Sequence, residues 1–280
     1  MNTIISSIAR PIMRLSTRTS ASIKPIKPIN PIRRDIRRTQ KTAILLDLDG
    51  VINHHPLAEK EVKVQVVKFV QAALQNYIGD VGNVDHQTAT QVNDQLYSMY
   101  GHTLIGLEAE FGIKTSTRAF NDYVYSPAVL ASIKNASPEH FRGAAVRAWD
   151  TRKLVERCLA VANDREVCPY IFTNSPTVWT DFILELLGLK ELFPKENWIT
   201  SDSHEMIYRN CFKPDPAMYS LAKTVIQTDN VIFIDDSLQN LVPMANEWKT
   251  YLMDNNMVKS AHHVQIAGVE VIKCLSEVRI

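Results

Sequence analysis

Three short apolar runs, each followed at once by polar residues, are the feature that most constrains the fold of this 280-residue chain. The runs lie at 43–48, 170–173 and 231–234, and each has the length of one buried strand. Helix-like segments separate the runs, and strands that alternate with helices form a parallel sheet with helices on both faces. The sequence therefore predicts an α/β fold with a Rossmann-like parallel sheet as its core.

A long helical block interrupts this alternation after the first run. Residues 55–150 contain helical patterns and no strand pattern, so we predict that they form an inserted helical cap domain. The α/β core is then built from residues 41–54 together with residues 151–280. Further elements are expected outside the three runs: strands at 198–200 and 251–253, and helices at 138–148, 150–164 and 269–278.

The first 40 residues differ from the rest of the chain in charge. They carry nine Lys and Arg residues, four prolines and a single acidic residue, Asp35. Proline at this density blocks helices and sheets, and mitochondrial transit peptides are rich in Arg and poor in acid. We predict that residues 1–40 form a basic disordered arm or a mitochondrial transit peptide, with a cytoplasmic location as the alternative.

The body of the chain carries the opposite charge. Residues 41–280 hold 22 of the 31 basic residues and 29 of the 30 acidic residues, a balance of −7. A surface of that sign binds nucleic acid phosphates poorly, so we expect no nucleic acid polymer as a partner. No apolar run approaches the roughly 20 residues that a transmembrane helix needs, and we expect no such segment. The oligomeric state is left open.

Polar side chains gather where the predicted strands end. Parallel α/β sheets hold their sites at the carboxyl ends of the strands, and a Lys-Pro-Asp-Pro segment at 213–216 stands before a predicted helix. We expect one site that contains Asp47, Asp49, Thr173, Asn174, Lys213, Asp235 and Asp236.

The carboxylates of this set predict a divalent metal. Like charges at close range resist ionising together, and a cation relieves that cost. Oxygen ligands without His or Cys favour Mg²⁺, which in proteins commonly accompanies phosphorylated substrates. The predicted metal site consists of Asp47, Asp49, Asp235 and Asp236.

The remaining polar groups suit a phosphate. Thr173 can donate a hydrogen bond, Lys213 can supply a fixed positive charge, and the backbone amide of Asn174 can add a donor. Asp47 could then attack phosphorus and form an aspartyl-phosphate. Asp49 would protonate the leaving oxygen and later deprotonate the attacking water. These residues come from four short motifs, one at the end of each of the three apolar runs and one at 213–216. Each motif is common by itself, but all four occur here in order, at predicted strand or helix ends.

Taken together, the four motifs resemble those of the haloacid dehalogenase-like hydrolase superfamily. The matching segments are 46–51, 172–174, 213–216 and 234–240, and the resemblance covers about 43–255. Dehalogenating members lack the second Asp of the first motif, so Asp49 favours phosphoryl transfer. The resemblance implies Mg²⁺ as cofactor, Asp47 as nucleophile and Asp49 as acid/base, with the backbone carbonyl of Asp49 also binding the metal. It further implies Thr173 and Lys213 as phosphate ligands. Asp236 would be a metal ligand, assisted by Asp235.

A narrower resemblance concerns the substrate. Segments 100–107 and 170–174 are similar to those of pyrimidine 5′-nucleotidase-like phosphatases, whereas Gly50-Val51 and segment 194–212 depart from them. A small phosphorylated metabolite is expected, with a nucleoside 5′-monophosphate favoured. A phosphosugar or phosphoglycolate phosphatase and a phosphomutase are the alternatives, and a catalytically silent binding protein of this fold is the alternative from another class. A cap domain that covers the site would exclude bulky substrates, so a protein substrate is disfavoured. The residues proposed to select the leaving group are His54, Tyr100 and His102.

Overall fold

The structure is a computed structural model, and the residues that it describes fall into seven ranges. These ranges are 41–54, 56–79, 83–135, 142–160, 166–203, 211–254 and 268–280. The basic arm at 1–40 lies outside them, so its interpretation as a transit peptide stays a prediction.

Within the described ranges, six parallel strands form one sheet in the order β3-β2-β1-β4-β5-β6. This confirms the predicted parallel α/β core. The expected helix at 269–278 is wrong, because a sixth strand and a single 3₁₀ turn occupy that segment. The strands are β1 (Thr42–Leu46), β2 (Val167–Phe172), β3 (Trp198–Ile199), β4 (Val231–Asp235), β5 (Lys249–Met253) and β6 (Val269–Ile272).

The middle of the sheet explains why polar residues converge. Every residue of β1 and of β4 is buried, as expected for parallel strands covered on both faces. Leu46 pairs with Ile171 of β2 on one side and with Ile234 of β4 on the other. The carboxyl ends of β1, β2 and β4 are therefore adjacent, at the point where the strand order reverses.

Nine α-helices surround or extend this sheet within the described ranges. Six of them lie between β1 and the next strand, β2, as predicted for a helical insertion after the first strand. The sixth runs unbroken through residue 150, where two separate helices were expected, so the predicted domain boundary there stays untested. The helices are α1 (Pro56–Ile78), α2 (His86–Tyr100), α3 (Thr103–Phe111), α4 (Thr117–Val124), α5 (Pro127–Lys134), α6 (Arg142–Ala160), α7 (Thr177–Leu186), α8 (Pro216–Ile226) and α9 (Leu238–Leu241).

Large side chains fill both faces of the sheet. Trp179 and Phe193 belong to the cluster on one face, and Tyr219 and Trp248 belong to the cluster on the other. Burial of each such aromatic side chain stabilises the fold by roughly 2–3 kcal/mol. This packing holds the strand ends in fixed positions. None of the helices described has both the length and the apolar character needed to cross a membrane.

Candidate active site

Asp47 occupies the first position after β1 and continues its pairing. Its backbone N–H donates to the carbonyl of Ile234 at 2.9 Å, so the carboxyl group is fixed beside the end of β4. The side-chain Oδ1 accepts a hydrogen bond from the N–H of Leu48 at 2.8 Å. Burial raises the pKa of Asp47 well above its usual value; Lys213 opposes this shift, and Asp235 adds to it.

Lys213 lies between two buried carboxylates. Its Nζ is 2.6 Å from Oδ2 of Asp235 and 3.2 Å from Oδ1 of Asp47, and it donates to the carbonyl of Phe172 at 2.8 Å. Burial by itself lowers the pKa of Lys213, but the charges of Asp235 and Asp47 outweigh that effect and raise it. The ring of Phe233, 5.4 Å away, also faces the ammonium group. Lys213 is therefore a fixed, fully buried cation.

Asp235 and Asp236 are neighbours in sequence with different surroundings. Asp235 is fully buried and accepts hydrogen bonds from the N–H of Ser237 at 2.8 Å and from Nδ2 of Asn240 at 3.1 Å. Asp236 lines a cavity and is exposed to it. Desolvation of its carboxyl group by the surrounding protein, and then the charge of Asp235, raise its pKa to about 7. Asp235 is thus an anchor, and Asp236 is the more accessible group.

Three carboxylates at this point could share a metal ion. One ligand atom from each of Asp47, Asp235 and Asp236 lies within 4.8 Å of the other two. Burial is the main cause of the raised pKa values of Asp47 and Asp236, and the neighbouring carboxylates raise both values further, as expected for like charges without a cation. All donors are oxygens, which suits Mg²⁺, so the residues present fit the predicted metal.

Asp49 has a different environment from these three. Its carboxylate accepts from Nδ2 of Asn53 at 2.7 Å, from Oγ of Ser175 at 2.6 Å and from Nε1 of Trp179 at 3.0 Å. Its side chain is not part of the carboxylate trio. These three hydrogen-bond donors fix the carboxylate of Asp49 beside the carboxyl ends of β1 and β2. The contact of its backbone carbonyl with a metal stays a prediction.

The residues after β2 lie beside Lys213. Thr173 is buried, and its Oγ1 accepts from the N–H of Ser175 at 3.1 Å. The side chain of Asn174 pairs with the backbone of Lys213 in both directions, at 2.9 and 2.7 Å. Asn174 therefore positions Lys213 with its side chain, which leaves only its backbone amide for the predicted phosphate contact.

A cavity of about 430 Å³ opens over these groups. Its walls include the predicted residues Asp47, Asp49, Thr173, Asn174, Lys213 and Asp236. The cavity is also lined by His54, by Glu59 in the first turn of α1, and by Tyr97 of α2. The helical insertion thus contributes directly to the wall of the cavity.

Two of the three predicted selecting residues have other contacts. The hydroxyl of Tyr100 donates to Glu110. His102 caps α3 by accepting from the N–H of Leu104 at 3.2 Å, and its ring stacks on Phe212 with centroids 3.5 Å apart. Neither is among the described residues that line the cavity. The structure brings only His54 of the three to the cavity, whereas the neighbouring His55 lies outside the described residues.

His102 is a neutral ring that packs between the helical insertion and the segment of Lys213. Desolvation lowers the pKa of His102 to about 3, so its ring is neutral and its Nδ1 can cap the helix. Its stacking partner Phe212 directly precedes Lys213 and packs with Leu104 and Phe120 of the insertion. The segment that carries Lys213 is therefore packed against the helical insertion.

The sequence interpretation missed several residues of the site. Ser175 and Asn53 were within reach, because each stands within four residues of a predicted motif residue. Glu59 lies near the start of the predicted helical insertion, a few residues after the first motif, which is a weak signal. Trp179 gave none, since an aromatic residue in an apolar helix resembles any core residue.

Comparison with known proteins shows which family the chain resembles. A family model described as haloacid dehalogenase-like hydrolase matches residues 41–247. Curated protein sequences contain no significant match to the chain.

Solved structures share the fold. A crystal structure of a HAD phosphatase from Thermococcus onnurineus aligns with a TM-score of 0.51 and 16% identity, covering 84% of this chain and 95% of that one. A HAD hydrolase of family IA, variant 3, from Entamoeba histolytica aligns with a TM-score of 0.53 and 15% identity, covering 85% and 96%. At these identities the likeness concerns the fold alone.

Proposed function

The chain belongs to the haloacid dehalogenase-like hydrolases, and from this premise we propose that it is a Mg²⁺-dependent phosphomonoester hydrolase acting on a small phosphorylated metabolite. The observation that carries the proposal is the arrangement of Lys213, Asp47 and the carboxylate trio at adjacent strand ends, beneath a cavity. A buried nucleophile next to a fixed cation and a metal-binding group suits a transferring phosphoryl group.

Asp47 would be the nucleophile. One of its oxygens would bond to phosphorus while the bond from phosphorus to the ester oxygen breaks, giving an aspartyl-phosphate. Lys213, 3.2 Å from Oδ1 of Asp47, opposes the rise in the pKa of this buried carboxyl group and so favours its ionised form. The same cation would offset negative charge that develops on the phosphoryl oxygens.

Asp49 would move the protons. It would give a proton to the leaving oxygen in the first step and would take one from water when the aspartyl-phosphate is hydrolysed. Its three donors, Asn53, Ser175 and Trp179, would keep the carboxyl group in one position through both steps. That position lies on the wall of the same cavity as Asp47.

The carboxylate trio would hold Mg²⁺, which would neutralise charge on the phosphoryl oxygens and on Asp47. Among the three, Asp235 already accepts hydrogen bonds on both carboxylate oxygens, so Asp47 and Asp236 would be the direct ligands. Thr173 and the backbone amide of Asn174 would contact the phosphate.

A nucleoside 5′-monophosphate remains the favoured substrate from the sequence resemblance. That preference rests on segments 100–107 and 170–174; in the first of them, Tyr100 donates a hydrogen bond to Glu110 and His102 stacks on Phe212. A phosphosugar or phosphoglycolate is the alternative, and substrate ranking decides between them.

Phosphate release from a panel of phosphorylated metabolites tests the proposed function. Full-length protein is assayed with Mg²⁺ and with EDTA, beside Asp47→Asn and a matched control, Asp122→Asn. The side chain of Asp122 is 73% exposed on α4, and among the described residues its one ion pair is a long one with Arg118 at 3.8 Å. We expect release to require Mg²⁺, to fall by several orders of magnitude in Asp47→Asn and to be unchanged in the control. Mg²⁺-independent release, or a folded Asp47→Asn protein with wild-type activity, would contradict the proposal.

A further inference from the structure

The charges on the cavity wall are unevenly distributed. Four of the described lining residues are acidic, and Lys213 is the one Lys or Arg among them. Lys213 is already paired with Asp47 and Asp235. When a phosphoryl group reaches Asp47, Lys213 faces that group and not the rest of the substrate. The leaving group is then left with the remaining lining residues, above all His54, Glu59 and Tyr97.

Glu59 is the anion that a leaving group would meet. It lies in the first turn of α1, and its side chain is 43% exposed. The distance from its Oε1 to Nδ1 of His54 is 3.8 Å, which exceeds a hydrogen bond. No salt bridge with a Lys or Arg is formed by Glu59 within the described part of the chain. Its carboxylate is therefore available to accept hydrogen bonds from a ligand.

The other two residues do not reverse this charge. Burial, and then the charge of Arg147, lower the pKa of His54, so its imidazole is neutral near pH 7. The Tyr97 hydroxyl can donate or accept and does not discriminate by sign. Arg147 itself is buried and donates to Sδ of Met253 at 2.9 Å, and it does not line the cavity.

We infer that the cavity selects phosphomonoesters whose leaving group is uncharged or cationic and donates hydrogen bonds to Glu59, and that it discriminates against a leaving group with a second anion. This inference rests on the proposed phosphomonoesterase function and names its substrate class. Hydroxyl-rich or amino-bearing alcohols fit the class, whereas carboxylate-bearing alcohols and bisphosphates do not. Nucleosides and simple sugars belong to the favoured class, and glycolate does not.

A matched series of three small phosphomonoesters tests the inference. The series is O-phosphoethanolamine, glycerol 3-phosphate and 2-phosphoglycolate, whose leaving groups are of similar size and carry charges of +1, 0 and −1. We would measure kcat/KM for each with Mg²⁺ at pH 7.5, using the full chain. We expect both non-anionic esters to exceed 2-phosphoglycolate by at least about tenfold, because one short-range charge contact is worth that much or more.

Variants at Glu59 tie the preference to this residue. Glu59→Gln should raise the ratio of kcat/KM for 2-phosphoglycolate over O-phosphoethanolamine by about tenfold, and Glu59→Lys should raise it further. Glu61→Gln is the matched control, since it removes the same charge two residues along α1 and Glu61 does not line the cavity. The ratio should stay at its wild-type value in that variant. Circular dichroism confirms that each variant is folded.

Two results separate this inference from the function on which it rests. If 2-phosphoglycolate is hydrolysed as well as the other two, or if Glu59→Gln leaves the ratio unchanged, the inference is overturned and the phosphatase function stands. If no phosphomonoester, including para-nitrophenyl phosphate, releases phosphate in a Mg²⁺-dependent way, the proposed function is overturned and the inference with it.

Discussion

Replacing Gly50 by Ala should disturb the carboxylates proposed to bind Mg²⁺, because the added Cβ would collide with one of them. Gly50 has φ +81, a left-handed conformation, and an added Cβ would lie 2.0 Å from Oδ2 and 2.3 Å from Cγ of Asp236. Non-bonded heavy atoms are normally about 3.5–4.0 Å apart. Asp236 or the loop of Gly50 must therefore move by about 1.5 Å to make room.

Two costs follow from this substitution. The left-handed backbone costs a non-glycine residue about 1–2 kcal/mol, and overpacking adds about 1–3 kcal/mol. Gly188→Ala is the matched control for the first cost, because Gly188 also has positive φ, at +64, and no heavy atom within 4 Å of its added Cβ. We expect Gly188→Ala to lose about 1–2 kcal/mol in urea unfolding, and Gly50→Ala to lose about 2–5 kcal/mol.

The functional loss should be larger than the loss of stability. Mg²⁺ demands near-ideal ligand geometry at about 2.0–2.1 Å, and a misplacement of about 1 Å can cost about 100-fold in rate. We therefore expect Gly50→Ala to bind Mg²⁺ at least tenfold more weakly by calorimetry. Its kcat/KM should fall about 100-fold, while Gly188→Ala keeps wild-type values of both.

A double variant provides the sharpest check. Asp236→Ala removes the two nearest atoms, which the new Cβ would strike at 2.0 and 2.3 Å, and keeps the longer contact with Cβ of residue 236 at 3.0 Å. In the Asp236→Ala background, Gly50→Ala should cost about as much as Gly188→Ala does, since the packing conflict is relieved. If Gly50→Ala binds Mg²⁺ normally, or is no less stable than Gly188→Ala, then Asp236 does not lie against Gly50 and the description of the metal site is wrong.

Three further predictions concern charge. The pKa of Asp236 is about 7 in the folded protein and near 3.8 when unfolded, so the folded state binds the extra proton between these values. In EDTA this group should make stability fall as pH rises from about 4 to 7, and Asp236→Asn should remove that slope in urea titrations; an unchanged slope would refute the shift. His102 should make stability change with pH in the opposite direction, because its pKa is about 3 in the folded protein and ordinarily 6.5. Relative to His102→Asn, which keeps a helix cap, the wild type should lose up to ~1.4 kcal/mol per pH unit below 6.5; equal pH profiles would count against a buried neutral ring. Residues 1–40, fused to a fluorescent protein, should direct it to mitochondria, and replacing their nine Lys and Arg residues by Gln should abolish import; a diffuse cytoplasmic signal from the unaltered fusion would favour the alternative location.

Short-range patterns in the sequence were sufficient to predict the centre of the sheet. The runs that became β1, β2 and β4 are mainly apolar because both faces of these strands are covered. Once the strands are parallel, their carboxyl ends must meet at one edge, so Asp47, Thr173 and Asp235 could be placed together without coordinates.

Patterns at the edge of the sheet were less informative. β6 is an edge strand of four residues with only Ile272 buried, so its sequence lacks the apolar run that marked the central strands. The contacts of Asp49 with Trp179 and of His102 with Phe212 join residues more than 100 positions apart. Such pairs depend on how the insertion and α7 pack, and a local pattern does not record that.

The buried pair of Asp47 and Asp235 shows why this site favours binding over stability. Each carboxylate loses its hydration on burial, and one ammonium group, Lys213, serves both. Asp236 brings a third carboxylate within 4.8 Å, and like charges at this range resist ionising together. A divalent cation that bound only the folded state would relieve this repulsion and would add about 2.7 kcal/mol of stability at a concentration 100 times its Kd. The repulsion that weakens the apo protein would therefore be the source of its affinity for the metal.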